Sequence, residues 1–448
     1  MFRIGIVSKT CAARTGRLAL PKRSPLLTPN YIAITSRGAV PHVAQDVFAD
    51  STGINGVYMA LEDFIERAPA VKPPILSFNP PGDVSPLRSF NACPDETILV
   101  LGARRVLPVA APVSNTSNDI QVFTSTGFAK LAVSYYSDAV IHLRPDIVVG
   151  LADIPFNAER FSQKRQETMT DRSSRWMLEQ TKAVKSANTG SQGRPAMFAP
   201  LLPLEPEAQR WYLEEIIDNM LDTVTGLAIY DAASLRGTPE SLRKLPKLSF
   251  TKPDGPQKLL WEISQGMDIF TIPFIDFATD AGIALDFSFP VSRYEGNGHI
   301  NGHTLRPLGV DMWSEDHITD VTPLSRGSYL KHLLNAKEML GWVLLQIHNH
   351  DTMDRFFDGV RSSIEAGTFE EDKLAFEREY EPSLPEKTGQ GPRVRGYQFK
   401  SEGPGEVKRN PAAYKTLNDA EEKIAETADS NPISDVKDIE GAGLAEKI

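Results

Sequence analysis

Short apolar runs alternate with longer amphipathic runs along most of this chain, and that alternation limits the folds open to it. The runs Tyr31–Thr35, Thr97–Leu101, Ile147–Leu151, Met197–Leu202, Gly226–Tyr230, Lys247–Thr251 and Met267–Phe274 are apolar nearly throughout. Such runs suit strands buried on both faces. Between them, Val43–Phe48, Asn157–Ser186, Pro206–Leu221, Pro239–Lys244 and Pro256–Gln265 read as helices. Strand–helix alternation builds a parallel sheet with crossover helices. Seven or more units predict an α/β fold closed as a (β/α)8 TIM barrel rather than a short doubly wound sheet.

The pattern assigns residues 1–290 to the barrel. It breaks over 291–327, where the loop Glu295-Gly-Asn-Gly-His-Ile-Asn-Gly-His303 opens an inserted segment. Residues 328–380 read as closing helices. The first of these is predicted from Ser328 to about Asn349, with Leu330, Leu333, Leu334, Leu340, Val343, Leu344 and Ile347 on its apolar face. His348 lies 18 residues after Leu330, about five turns at ~3.6 residues per turn, which places it on that buried stripe. Residues 381–448 carry mixed charge, thirteen Pro plus Gly and few large apolar groups. That composition predicts a disordered tail with a short helix at Ala412–Thr427.

Composition excludes several classes of function. No apolar run approaches the ~18 residues of a membrane span. The two cysteines, Cys11 and Cys93, cannot build a disulfide framework or a four-cysteine zinc site. A net charge of −10 argues against a surface that grips nucleic acid everywhere, and leaves a local basic patch open. Charge is uneven: Arg3, Lys9, Arg14, Arg17, Lys22, Arg23 and Arg37 precede the first acid, Asp46. This stretch reads either as a mitochondrial transit peptide or as a folded edge with a basic rim. Pro21, Pro25 and Pro29 favour the folded edge, because prolines interrupt an amphipathic helix.

Few motifs carry chemistry. There is no GxSxG, no GxGxxG and no GxxxxGK[ST]. His299 and His303 sit in a glycine-rich loop and read as solvated. His348 and His350 are two apart, so on a helix they cannot share a metal. His348 reads as a hydrogen-bonded core histidine or as one ligand of a metal. In a barrel, chemistry collects where strands end. The polar groups there are Asp153, Asp231, Lys252, Thr271 and Asp276, each equally a loop residue or a helix cap.

Several strand-end sequences, taken in order, resemble the tRNA-guanine transglycosylases. Gly266-Met-Asp-Ile-Phe-Thr-Ile-Pro-Phe274 followed by Gly282-Ile-Ala-Leu285 is similar to that family's Gly-Val-Asp-Met-Phe-Asp segment and its sequel. Arg14-Thr-Gly-Arg-Leu18, Thr28-Pro29 and Gly38 to His42 resemble the opening strands. Asp146-Ile-Val-Val-Gly-Leu-Ala-Asp153 resembles the segment ending in the base-reading aspartate. Asp171-Arg-Ser-Ser-Arg-Trp176, Gly226-Leu-Ala-Ile229, His332-Leu-Leu334 and Leu344 to Asn349 complete a match over roughly residues 10–365. The resemblance implies a (β/α)8 barrel with a zinc subdomain that exchanges guanine in a tRNA for a 7-deazaguanine such as queuine. In that reaction an ionised aspartate attacks the ribose and later leaves.

The residues that would do this are changed. Thr271 stands at the nucleophile position, and a threonine hydroxyl needs a base before it can attack. Asp268, three residues earlier on a strand, points to the opposite face. The family's Asp-Ser-Gly-Gly-Phe-Gln is replaced by Val100-Leu-Gly-Ala-Arg-Arg105, and its pocket Gly-Gly by Tyr230-Asp231. Asp153, Tyr230 and Asp231 remain as a remnant of the base pocket. For Arg172, Arg175 and Trp176, packing and surface pairing are expected.

The resemblance, together with Arg37-Gly-Ala-Val-Pro-His42, therefore implies a non-catalytic subunit. Its implied partners are a catalytic subunit of the same fold and tRNA. Two other readings stay open: an active barrel of altered reaction using Asp153, Asp231 and Lys252, and a relic without function. The implied location is the cytoplasm, with association at the mitochondrial outer surface.

Zinc is the family's cofactor, held by Cys-x-Cys-x-x-Cys and a later histidine. Here Arg326-Gly327 runs into Ser328-Tyr329-Leu-Lys-His332 without the cysteines. His348 is the one ligand position left, so the zinc subdomain is degenerate; one histidine cannot hold a structural zinc. Either the site was lost or the sequence omits an exon.

Overall fold

A computed structural model describes residues 1–66, 68, 70–156, 160–187, 193–291, 305–313, 324–387 and 391–392, with side chains from Tyr329 onward in the helix that begins at Leu324. Eight parallel strands close into a barrel in chain order: Asn30–Ile34, Gly56–Ala60, Ile98–Gly102, Ile147–Val149, Ala196–Leu201, Val224–Ile229, Lys247–Ser249 and Ile269–Thr271. The eighth pairs with the first through Ile269 opposite Asn30 and Thr271 opposite Ile32. Alternation along each strand sorts two cores. Ile98, Val100, Ile147, Val149, Phe198, Leu248 and Ile269 fill the barrel. Leu99, Leu101, Val148, Ala199 and Phe270 face the helices around it.

The basic N-terminus is a folded edge. Phe2–Val7, Arg14–Leu18 and Leu26–Thr28 form an antiparallel sheet. Its Leu18 and Leu26 join the barrel's inner core and so seal the N-terminal ends of the strands. At that end Asp268 accepts from Arg14 Nε (2.8 Å), Arg14 Nη2 (2.7 Å) and the Lys247 amide (2.9 Å). Asp268 thus faces outward from the barrel, as expected, and is far along the strand from the mouth.

Four expectations change. The strand Gly56–Ala60 was not foreseen; it is five residues long, wholly buried and without polar alternation. The apolar run to Phe274 is not all strand, because Pro273 starts the helix Pro273–Ala281. The hairpin Asp119–Thr124/Gly127–Ala132 and the helix Val133–Leu143 lie between the Thr97–Leu101 and Ile147–Leu151 runs, where the sequence pattern assigns no element. The predicted Ser328–Asn349 helix is two helices, Leu324–Asn335 and Met339–Ala366.

The last change overturns the place given to His348. Counting turns from Leu330 crosses the break at residues 336–338, where the helical phase restarts. The buried stripe of Met339–Ala366 runs through Trp342, Leu345, Gln346, Asn349, His350, Met353, Phe356 and Phe357. His348 is exposed, and His350 is the core histidine. His350 Nδ1 lies 3.0 Å from Tyr31 Oη and its Nε2 3.0 Å from Gln346 Nε2. Burial pushes its pKa down to about 3.

No described helix is long and apolar enough to cross a membrane. His299, His303, most of the 291–327 insertion and most of the 381–448 tail, including Ala412–Thr427, lie outside the described residues.

Candidate functional site

The C-terminal ends of the barrel strands converge on the mouth, where a (β/α)8 protein places its chemistry. Thr271 ends the eighth strand fully buried, and its Oγ1 donates to the Ser249 carbonyl at 2.9 Å. That carbonyl cannot accept a second role as a base. The hydroxyl is therefore a neutral, engaged donor.

Asp153 sits at the end of the fourth strand, also fully buried. Of the readings the sequence left open for it, a loop acid held by hydrogen bonds is the one its contacts match. Both of its oxygens are taken: Arg165 reaches them at 2.8 and 3.0 Å, Arg172 at 3.0 Å and Asn115 Nδ2 at 2.8 Å. Two guanidiniums and an amide compensate the buried charge, and they leave little of it to read a base. The helix Gln163–Ser186 supplies both arginines, seven residues apart and so on one face. Arg172 is thus an internal partner rather than a surface one. Trp176 is buried and donates to the Ser117 carbonyl at 2.7 Å, and Arg175 also bonds Ser117 and Asn118.

Asp231 is exposed and caps the turn Ala232–Gly237 by accepting from the Ala233 amide at 2.9 Å. Lys252 is exposed on a loop at φ 56°, with Nζ 6.0 Å from the Phe156 ring. Desolvation lowers its pKa. Asp276 lies in the helix Pro273–Ala281, outside the barrel, and accepts from Gln346 Nε2 at 2.8 Å; burial raises its pKa to about 7.

What occupies the mouth is aromatic. Tyr230 stacks on Phe250 (centroids 5.2 Å, 17°), Phe250 meets Tyr58 edge-on (5.2 Å, 67°), and Phe156 tilts against Tyr230 (6.0 Å). The Arg104 guanidinium lies 5.2 Å over Phe156 and donates to the carbonyls of Gln121 and Ile154 and to Asn115. Tyr58 Oη donates to the Arg104 carbonyl at 2.5 Å. Gly102 makes room for it, because a Cβ there would fall 1.9 Å from that oxygen. The space left among these side chains is about 30 Å³. That volume suits about one or two waters. Burial raises the Tyr230 pKa to about 12, with Arg104 pulling the other way.

One carboxylate beside the mouth was not foreseen. Glu62 follows the unrecognised second strand and is 2 % exposed. It accepts from the backbone amides of Arg105 (2.7 Å) and Phe123 (2.8 Å), which fastens the Asp119–Ala132 hairpin to the barrel end. Burial raises its pKa to about 7 against those hydrogen bonds. The signal was present in Leu61-Glu-Asp63, but it has meaning only once Gly56–Ala60 is known to be a strand.

The donors for zinc do not fit. Cys93 is buried and Cys11 half-buried, both free, and both belong to the N-terminal quarter of the chain. His348 Nε2 lies 2.9 Å from the Leu285 carbonyl. A carbonyl only accepts, so Nε2 carries the proton and Nδ1 is the ring's one acceptor; a lone histidine still falls short of the four ligands of a structural zinc. Among the described residues no three His, Cys, Asp or Glu side chains come together as a metal site.

Comparison with known proteins adds an independent line. The family model for queuine tRNA-ribosyltransferase matches residues 9–382. A Schizosaccharomyces pombe protein called queuine tRNA-ribosyltransferase accessory subunit 2 is 33 % identical, over 97 % of each chain. Proteins of the same description from Culex quinquefasciatus (23 % identical, 82 % of this chain and 88 % of that one) and Drosophila grimshawi (25 %, 81 % and 88 %) are also similar.

Proposed function

The chain belongs to the queuine tRNA-ribosyltransferase family, and from that membership we propose that it is the non-catalytic subunit of a heterodimeric enzyme. Its partner is the catalytic subunit of queuine tRNA-ribosyltransferase, a barrel of the same fold. Together they exchange guanine for queuine at wobble position 34 of the tRNAs for Asp, Asn, His and Tyr, which have GUN anticodons. This chain supports the dimer and positions the tRNA; the partner performs the displacement.

The observation that carries the reading is the filled mouth. A base-exchange site needs an ionised carboxylate, a slot for a flat base and a group free to read its edge. Thr271 stands where the carboxylate would, the Tyr230–Phe250 stack occupies the slot, and Asp153 is held by Arg165 and Arg172. The same engagements weigh against an active barrel using Asp153, Asp231 and Lys252. The length of the similarity to accessory subunits, nearly end to end, weighs against a relic. The protein works in the cytoplasm, with a fraction at the mitochondrial outer surface.

The test is incorporation of labelled guanine into a queuine-type tRNA by this chain, by its catalytic partner, and by the mixture. Activity that requires the mixture supports the proposal. Activity of this chain alone overturns it, and a mixture no better than the partner alone favours the relic.

A further inference from the structure

We propose that the described strand pair Ile283–Leu285 and Gly309–Asp311 is held to the helix Met339–Ala366 by a side-chain clamp and a tryptophan cluster, and that the protein folds without the family's zinc. A structural zinc ties segments together by bonding several ligands to one centre. The closing helix here is tied by direct hydrogen bonds instead. Asn349 Oδ1 accepts from the Leu285 amide (2.9 Å), while its Nδ2 donates to the Ile283 carbonyl (3.1 Å) and to Thr279 Oγ1 (2.9 Å). His348 Nε2 donates to the Leu285 carbonyl, which Thr352 Oγ1 also approaches at 3.4 Å. Three neighbouring helical residues thus hold both ends of the strand Ile283–Leu285, which pairs antiparallel with Gly309–Asp311.

Beyond that strand pair lies an apolar cluster separate from the main cores. Met312, Leu334 and Trp342 are buried in it, with Ala284, Val310, Trp313 and Leu330 packed around. Trp313 lies so close to Gly282 (φ 78°) that a Cβ there would fall 2.1 Å from the indole nitrogen. The buried Trp342 indole, with the half-buried Trp313 beside it, brings large apolar area to a small module. Such a core supplies the burial that a small metal-bound module otherwise lacks. His348 Nε2 donates to the strand and leaves only Nδ1 as an acceptor, and among the described residues no three His, Cys, Asp or Glu side chains gather as a metal site.

The experiment uses the full chain, purified without a metal-affinity step and supplied with zinc during expression. Elemental analysis should find zinc well below one ion per chain, and a chelator should leave the thermal midpoint unchanged. Asn349→Ala should speed hydrogen exchange at the Leu285 amide ~10-fold or more, the scale of a lost buried hydrogen bond. Added zinc should not restore it. Should that variant fail to fold, Asn349→Asp keeps the acceptor for Leu285 and loses the two donors. It should then protect Leu285 while loosening the pairing around Ile283. One zinc per chain with chelator-sensitive melting overturns the proposal. So does unchanged Leu285 exchange in Asn349→Ala.

Discussion

The ring of Tyr230 lies flat on that of Phe250, centroids 5.2 Å apart and planes 17° from parallel, across the mouth of the barrel. Stacked rings at this separation fill the kind of slot in which a flat base would lie. On the proposed non-catalytic role, the stack bars base exchange by shape, apart from any question of a nucleophile.

Restoring the carboxylate alone is therefore expected to fail. Thr271→Asp should give no base exchange by this chain, measured as labelled guanine incorporation. It should also destabilise the fold by about 3 kcal/mol or more, because it buries a carboxylate beside the Ser249 carbonyl. Denaturant unfolding measures the second effect. Appreciable exchange by the single variant would show that the mouth admits a base.

Asp153→Ala removes the carboxylate shared by Arg165 and Arg172. Breaking a buried pair on one side should cost about 3 kcal/mol. Activity of the mixed complex per folded molecule should be unchanged. A base-reading aspartate would give the reverse: stability kept and activity lost.

Gly102→Ala brings a Cβ to 1.9 Å from Tyr58 Oη and 2.7 Å from the ring carbon that bears it. The clash should cost about 1–3 kcal/mol. Removing the oxygen in Gly102→Ala/Tyr58→Phe should recover part of that loss. The two changes should thus be non-additive in an unfolding cycle.

Glu62, raised to about 7, and Asp354, raised to about 6, make stability depend on pH. Burial is the main cause at both. Each native carboxyl holds its proton more tightly than the unfolded chain does. Between the unfolded value near ~4 and the native value, the native state therefore binds more protons, and stability falls as pH rises. The cost is fully present above about pH 7 and disappears as pH drops toward ~4. Glu62 alone contributes at most about 3 kcal/mol of this. Unfolding midpoints taken from pH 5 to 8 should decline, and Glu62→Gln should decline less steeply. Equal slopes would remove Glu62 from the account.

Much of the architecture was legible before any coordinates. Apolar runs such as Ile147–Leu151 or Gly226–Tyr230 suit burial on both faces, and their alternation with helices leaves few topologies. That Thr271 carries a hydroxyl and Tyr230 an aromatic ring was equally readable, since the chemistry of a side chain is the same wherever it lies. Asp231 as a cap follows from its position after a strand and before a turn.

The rest depended on distance in space. Gly56–Ala60 is too short and uniform to announce itself, and without it Glu62 has no place. His348 was assigned by counting turns through residues 336–338, where the helix stops; a periodic argument holds only while the period is unbroken. Asp153 met Arg165 and Arg172 because a helix twelve to nineteen residues on folds back over its strand. Sequence alone determined which groups were present and which faces had to be buried. Tertiary structure alone decided which of those groups satisfy one another, because hydrogen bonds and charges act over a few ångströms and the chain brings distant residues that close only when it folds.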